Sequence, residues 1–156
     1  MLLQRSLTLK DAEKITDTAL KLARQEKLEP LGVAVLDSGG NIVVIKTEDG
    51  SGTLRVEISV GKASAALAMG SSSRGAGERL EDRPAFQNAI SAAANGKYIP
   101  APGGVLIVDD KGFAIGAVGV TGDTSGKDEY CAISAVQAAG FKSDPPQPDP
   151  DWNEKQ

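Results

Sequence analysis

The 156-residue chain contains no histidine, one cysteine, one tryptophan, two tyrosines and three phenylalanines. Each shortage closes a class of function. Without histidine there is no imidazole base, no Ser-His-Asp triad, and none of the commonest nitrogen ligand for zinc or heme. The lone thiol, Cys131, has no partner for an internal disulfide, which fits a reducing compartment. So few aromatics give no stacking platform for single strands, and a net charge of −4 does not suit a nucleic-acid backbone. No window approaches the roughly 18 apolar residues of a membrane span. The opening "MLLQRSLTLKDAEK" becomes charged too soon for a signal peptide. The expectation is a soluble cytoplasmic protein with neither membrane nor nucleic acid among its partners.

What is present suffices for one domain with a core of its own. Residues 8–27 carry Ala12, Ile15, Ala19 and Leu22 at helical spacing, with Thr8 placed to cap the helix start. "LGVAVLDSGGNIVVIKTEDG" reads as a hairpin turning at residues 37–41, because Gly and Asn accept positive φ cheaply. Residues 53–70 turn alanine-rich and helical, and "SSSRGAGERLEDR" reads as a polar connector with room for one helical turn. Pro84 opens another helix that Gly96 closes. "KYIPAPGG" is extended, with space for a short strand at Tyr98 and Ile99. A second hairpin turns at residues 109–112, and a last helix spans about residues 126–139. The order αββααββα, with two hairpins separated by helices, predicts an α+β fold with a mainly antiparallel sheet. Residues 1–141 form the single domain, and the proline-rich stretch 142–156 reads as a floppy tail, with docking of Trp152 on a neighbouring subunit as the alternative.

Three polar constellations stand out. Thr47, Glu48, Asp49, Gly50 and Ser51 run from a strand end toward Arg55, with Lys62 seven residues further along the same helix. "PAPGG" at residues 100–104 puts two glycines before a strand, where backbone can approach a ligand or another segment closely. "GVTGDTSGKDEYCA" hands a strand over to a helix whose first turn holds Asp128 and Glu129. Taken singly, each is equally the chemistry of a capped turn. The glycines match neither GxGxxG nor GxxxxGK[ST], and no Cys/His cluster or EF-hand pattern provides a metal site.

Taken together they are more specific. The string "AVLDSGGNIVVIKTEDGS…EISVGKASAAL…PAPGGVLIVDDKGFAIGAVGVTG…DEYCA" resembles the GlcG-like/HbpS-like family, the heme-degrading domain family to which the PduO C-terminal domain is related. The likeness covers about residues 8–140. It implies a profilin- or PAS-like antiparallel sheet of about five strands flanked by helices, homo-oligomers of even order, and a small pocket. The family's pattern falls on Asp37, Asp49, Gly50, Lys62, Pro102, Gly103, Gly104, Gly119, Thr121, Gly122, Asp128 and Glu129. Two departures bear on function. Thr47 and Glu48 stand where the family pattern has Arg-Met, and Leu106 stands where it has proline.

Three functions follow as expectations. The first is a small-molecule-binding protein of a catabolic pathway whose ligand is a small carboxylate or hydroxy acid. Arg55 or Lys62 would supply charge, the backbone of Gly103, Gly104 and Gly122 would supply donors, and Pro102, Gly119 and Thr121 would line the site. The second is a cofactor-free hydratase, lyase or isomerase with Glu129 or Asp128 as base and Lys62 as acid or electrostatic partner. The third is heme or corrinoid binding, disfavoured because a His-ligated heme cannot form here. Tyr98, Tyr130, Met69 and Cys131 are the remaining iron donors, each also explicable as a core or helix-face residue. No cofactor and no metal site are expected, although heme is not excluded.

Overall fold

The structure, a computed structural model, describes residues 1–154. Its elements follow in the order α1 (Leu9–Gln25), β1 (Gly32–Asp37), β2 (Ile42–Thr47), α2 (Arg55–Met69), α3 (Ser73–Arg79), α4 (Pro84–Ala93), β3 (Gly104–Val108), β4 (Ala114–Thr121), α5 (Ser125–Ala138) and β5 (Lys142–Asp144). Thr8 caps α1 by accepting from the Asp11 amide at 3.1 Å. At the first hairpin, Asp37 accepts from the amides of Gly39 and Asn41 at 3.0 and 2.9 Å. Burial pushes the Asp37 carboxyl up, but these amides, the Asn41 side chain and Arg5 outweigh it and hold it below the usual aspartate value. Asp109 organises the second turn in the same way, accepting from the amides of Lys111 and Phe113.

The strands form one antiparallel sheet in the order β2-β1-β4-β3-β5. All of β1 is buried, so both faces of the sheet are covered. Alternation assigns the faces. Val33, Val35, Val105, Ile107, Val118 and Val120 join Ile15, Ala19, Ile133 and Val136 in the larger core under α1 and α5. The alternate residues Leu36, Leu106 and Ala117 meet Ala63 and Ala66 of α2 in a thinner core on the other face.

The α2 face is paved with small residues. Gly104 and Gly119 are register partners on β3 and β4. A Cβ on Gly119 would collide with the Ser59 carbonyl oxygen, and one on Gly104 with the Lys62 carbonyl oxygen. Helix α2 therefore lies on bare strand backbone. That closeness lets a side chain of α2 reach the end of the sheet.

The structure adds two elements to the sequence-derived order and removes one. The connector folds into α3, capped by Ser72, whose hydroxyl accepts from the Gly75 amide at 3.1 Å. Tyr98 and Ile99 form no strand, because the Ile99 amide donates to the Gly61 carbonyl of α2 at 3.1 Å and so bonds to a helix instead of a neighbouring strand. The stretch beyond residue 141 is packed as far as it is described. β5 pairs with β3, and Trp152 stacks on Tyr130 of α5 with ring centroids 3.8 Å apart. The last two residues of the expected tail lie outside the described residues. Among the described residues no helix is long and apolar enough to cross a membrane.

The close approach of α2 predicts that Gly119→Ala lowers unfolding free energy by about 1–3 kcal/mol, the cost of overpacking. Urea denaturation measures it. Loss below about 0.5 kcal/mol would show that the helix can move away without penalty.

Candidate functional site

At the end of the sheet where β1 begins, Gly32 is the register partner of both Thr47 on β2 and Thr121 on β4. Residues opposite one another across antiparallel strands share a face, so two threonines flank a residue with no side chain. Arg55, the first residue of α2, fills that gap. A Cβ on Gly32 would stand only 2.8 Å from the Arg55 Cβ. The guanidinium donates through Nη1 to Thr121 Oγ1 at 3.3 Å, while its Nε is buried and has no hydrogen-bond partner. Arg55 belongs to none of the ion pairs among the described residues. A half-buried cation with an orphaned donor is ready for an acceptor, and the guanidinium fork suits a carboxylate.

On the β2 side of the same sheet end, Thr47, Glu48 and Asp49 line an open cavity of about 470 Å³ with Arg24 and Pro30. Glu48 is tied back into the fold. It pairs with Arg24 Nε at 2.9 Å and accepts from the Leu31 amide at 2.9 Å. The acid that departs from the family pattern thus fastens the β2 end to the α1–β1 connection.

Lys62, Asp128 and Glu129 are placed quite differently. Lys62 and Asp128 are 3% and 1% exposed, and their Nζ and Oδ2 atoms are 3.0 Å apart. Lys62 also donates to the Val120 carbonyl at 3.0 Å, and Asp128 Oδ1 accepts from the Asp123 amide at 3.0 Å. Burial pushes the Asp128 carboxyl up, with Lys62 and the amides of Asp123 and Gly122 opposing it. Glu129, 1% exposed, faces Arg74 of α3, whose Nε lies 3.0 and 3.1 Å from its two oxygens. Only the contact to Oε2 is well directed, leaving Oε1 buried without a hydrogen bond. Burial pushes this carboxyl up as well, against the pull of Arg74. None of the three lines any of the four principal cavities.

The glycines expected to contact a ligand are occupied in packing. The Gly104 amide donates to Ser73 Oγ at 2.7 Å, the Gly103 carbonyl accepts from the Val120 amide at 2.9 Å, and Gly119 lies beneath α2. At Gly122, φ is +152° and a Cβ would strike the Pro30 carbonyl. Pro102 borders a second open cavity of about 440 Å³, shared with Arg74, Glu78, Gln87, Pro100 and Asp149. Sequence reasoning missed Arg74, which sits in a helix of seven residues, too short to show periodicity. The signal that could have found it is Glu129, an acid that needs a cation once it is buried.

The donors an iron porphyrin would need do not fit. Burial pushes the Cys131 thiol up to about 12, so it is no thiolate at neutral pH. Tyr98 is 4% exposed and its hydroxyl donates to Gln87 at 3.3 Å, while Tyr130 is covered by Trp152. Met69 lines none of the four principal cavities. Among the described residues no three His, Cys, Asp or Glu side chains are grouped to hold a metal ion.

Two predictions follow from the buried charges. Lys62→Met strands the Asp128 carboxylate and lowers unfolding free energy by about 3–5 kcal/mol, and adding Asp128→Leu recovers most of that loss. Urea denaturation of the single and double variants decides, and a loss under 1 kcal/mol in the single variant contradicts a sealed pair. The Glu129 carboxyl holds its proton to higher pH folded than unfolded, so the folded state binds more protons above the ordinary glutamate value of 4.5. Its contribution to stability therefore falls as pH rises from 4.5 to the raised folded value and is flat above it. Glu129→Gln removes that part of the slope, which thermal unfolding across pH 4–8 measures.

Comparison with known proteins places the whole arrangement. No curated protein matches the chain. Among solved structures, HbpS superposes with a TM-score of 0.72 at 26% identity, over 88% of this chain and 92% of that one. The PduOC:heme complex superposes with a TM-score of 0.77 at 24% identity, over 86% and 96% of the two chains. Klebsiella pneumoniae protein ORFY does so with a TM-score of 0.78 at 22% identity, over 90% and 94%. The family model described as haem degrading protein HbpS-like matches residues 7–137. With that match spanning most of the residues that build the sheet and its helices, the chain belongs to the HbpS-like family.

Proposed function

We propose that this protein binds a small carboxylate or hydroxy acid at the Arg55 end of its sheet and does so without a tetrapyrrole. The observation that carries the reading is the unpaired, half-buried Arg55 guanidinium with its orphaned Nε beside Thr121. A carboxylate there accepts from Arg55, and a 2-hydroxyl group finds Thr121 or Thr47 as partner. Binding is favoured over turnover because the raised carboxylates, which a proton-transfer enzyme would use, are buried and engaged with Lys62 and Arg74. General-base catalysis needs a base within hydrogen-bond reach of its substrate. Of the donors a heme of the kind named for the PduOC complex would need, Tyr98 is buried, Tyr130 is covered and Cys131 is protonated, while Met69 borders none of the four principal cavities.

Calorimetric titration with glycolate, lactate, glycerate and malate tests this. At least one is expected to bind saturably, and Arg55→Ala weakens it 10- to 100-fold, the loss of one charge-assisted fork. Arg55→Lys keeps the charge without the fork and falls in between. No binding by any of the four, or an unchanged affinity in Arg55→Ala, overturns the reading. So does a saturable one-to-one Soret shift with hemin, and so does consumption of a bound acid followed by NMR.

A further inference from the structure

Two glycines border Arg55, and the fold needs only one of them. At Gly32 a Cβ would stand 2.8 Å from the Arg55 Cβ, so the strand must be bare there for α2 to begin. Gly52 is different. It is exposed, its φ lies outside the left-handed region, and a Cβ on it would meet nothing closer than 3.4 Å. Neither backbone conformation nor packing calls for glycine at that position. The atoms nearest such a Cβ all belong to the Arg55 guanidinium, with Nε at 3.4 Å, Nη2 at 3.8 Å and Cζ at 3.9 Å. A point farther from Cζ than from either nitrogen lies outboard of the edge that the two nitrogens form.

We infer that the Nε–Nη2 edge of Arg55 is the seat of the carboxylate, and that Gly52 is the residue that keeps this edge clear of side chain. This rests on the carboxylate reading and adds to it the edge that is used and the residue that guards it. The other end of the guanidinium is taken, since Nη1 donates to Thr121 Oγ1 at 3.3 Å. Nε has no acceptor. Along the free edge Nε and Nη2 present parallel N–H bonds at the spacing of two carboxylate oxygens, the side-on fork that arginine offers and lysine does not. A side chain at residue 52 would stand at that edge before any ligand arrived. Even a methyl carbon there would crowd an oxygen bound to Nε, because the two would compete for the same space. Residues 52–54 are exposed, so the edge is reached from solvent across Gly52 and not through the core. Gly52 and Arg55 are held as a unit, since the Arg55 amide donates to the Gly52 carbonyl at 3.3 Å. The bare position therefore stays beside the guanidinium that it serves.

Calorimetric titration of Gly52→Ala with glycolate, lactate, glycerate and malate is the test, with thermal unfolding as the check on the fold. The variant is expected to melt no lower than the wild type, because its new contact is an ordinary one and alanine restricts the unfolded chain. It is expected to bind the acid that the wild type binds about 10- to 100-fold more weakly, as Arg55→Ala does. Gly52→Asp brings a tethered carboxylate to the same edge. It is expected to abolish binding and to raise the melting temperature, and the rise disappears when Arg55→Ala is added. Unchanged affinity in Gly52→Ala, with Arg55→Ala still impaired, overturns the seat and leaves the binding function standing. A change in melting temperature with Gly52→Asp that is the same with and without Arg55 also overturns the seat. A wild-type protein that binds none of the four acids overturns the function and the seat together.

Discussion

Lys62 starts on a helix against one face of the sheet and ends on Asp128, in a helix against the other face. A lysine can make that crossing only where the strands stop and nothing fills the gap. Gly103 provides the opening, since a Cβ there would stand 2.9 Å from Nζ. Gly119 and Gly104 let α2 sit low enough for the side chain to reach. Asp128 in turn gathers the Asp123 amide, so the loop after β4 and the start of α5 are fixed by the same carboxylate. An ion pair so fully dehydrated is costly to half-remove, because either partner alone would be a bare charge in the interior. The layers of this fold are therefore tied together at this end of the sheet by that ion pair and by the glycines that make room for it.

That constraint separates two kinds of charged residue that a sequence presents alike. Lys62, Asp128, Glu129 and Arg74 are charges already answered by one another, and their role in binding or catalysis stays a proposal of the sequence pattern alone. Arg55 is a charge answered only by a threonine hydroxyl. A protein that buries part of a guanidinium without an anion leaves desolvation uncompensated, which is sustainable when a ligand completes the set. The lack of a charged partner, more than polarity, burial or an orphaned atom, sets Arg55 apart from Glu129.

Much of the fold was legible. Helix α1 announced itself through Ala12, Ile15 and Ala19, which are fully buried, and through Thr8 at its cap. Both hairpins turn where Asp37 and Asp109 were expected to turn them, because a short carboxylate beside glycine is self-sufficient turn chemistry. What escaped depends on contacts distant in sequence. α3 is seven residues long, below the length at which periodicity shows, and Arg74 was hidden with it. β5 has only three residues, and pairing with the β3 edge makes it a strand. Tyr98 and Ile99 looked like a strand because prolines forced an extended chain, but extension alone does not choose a partner, and a helix carbonyl took the amide.

The motif that ties this chain to its family is largely the record of that packing. Gly103, Gly104, Gly119, Gly122, Lys62 and Asp128 all lie where α2, the sheet end and α5 converge. A pattern made of close-approach glycines and a buried ion pair specifies the scaffold tightly and the ligand hardly at all. Relatives can then share the scaffold while differing in what they hold, and the informative positions are those where side chains at the rim depart from the pattern. Here one such departure, Glu48, is bound back to Arg24 and the Leu31 amide beside an open cavity. Removing a basic group from that turn and neutralising its acidic replacement leaves Arg55 as the unanswered cation of the sheet end. A ligand with one negative charge and a neighbouring hydroxyl is what we propose that balance accommodates.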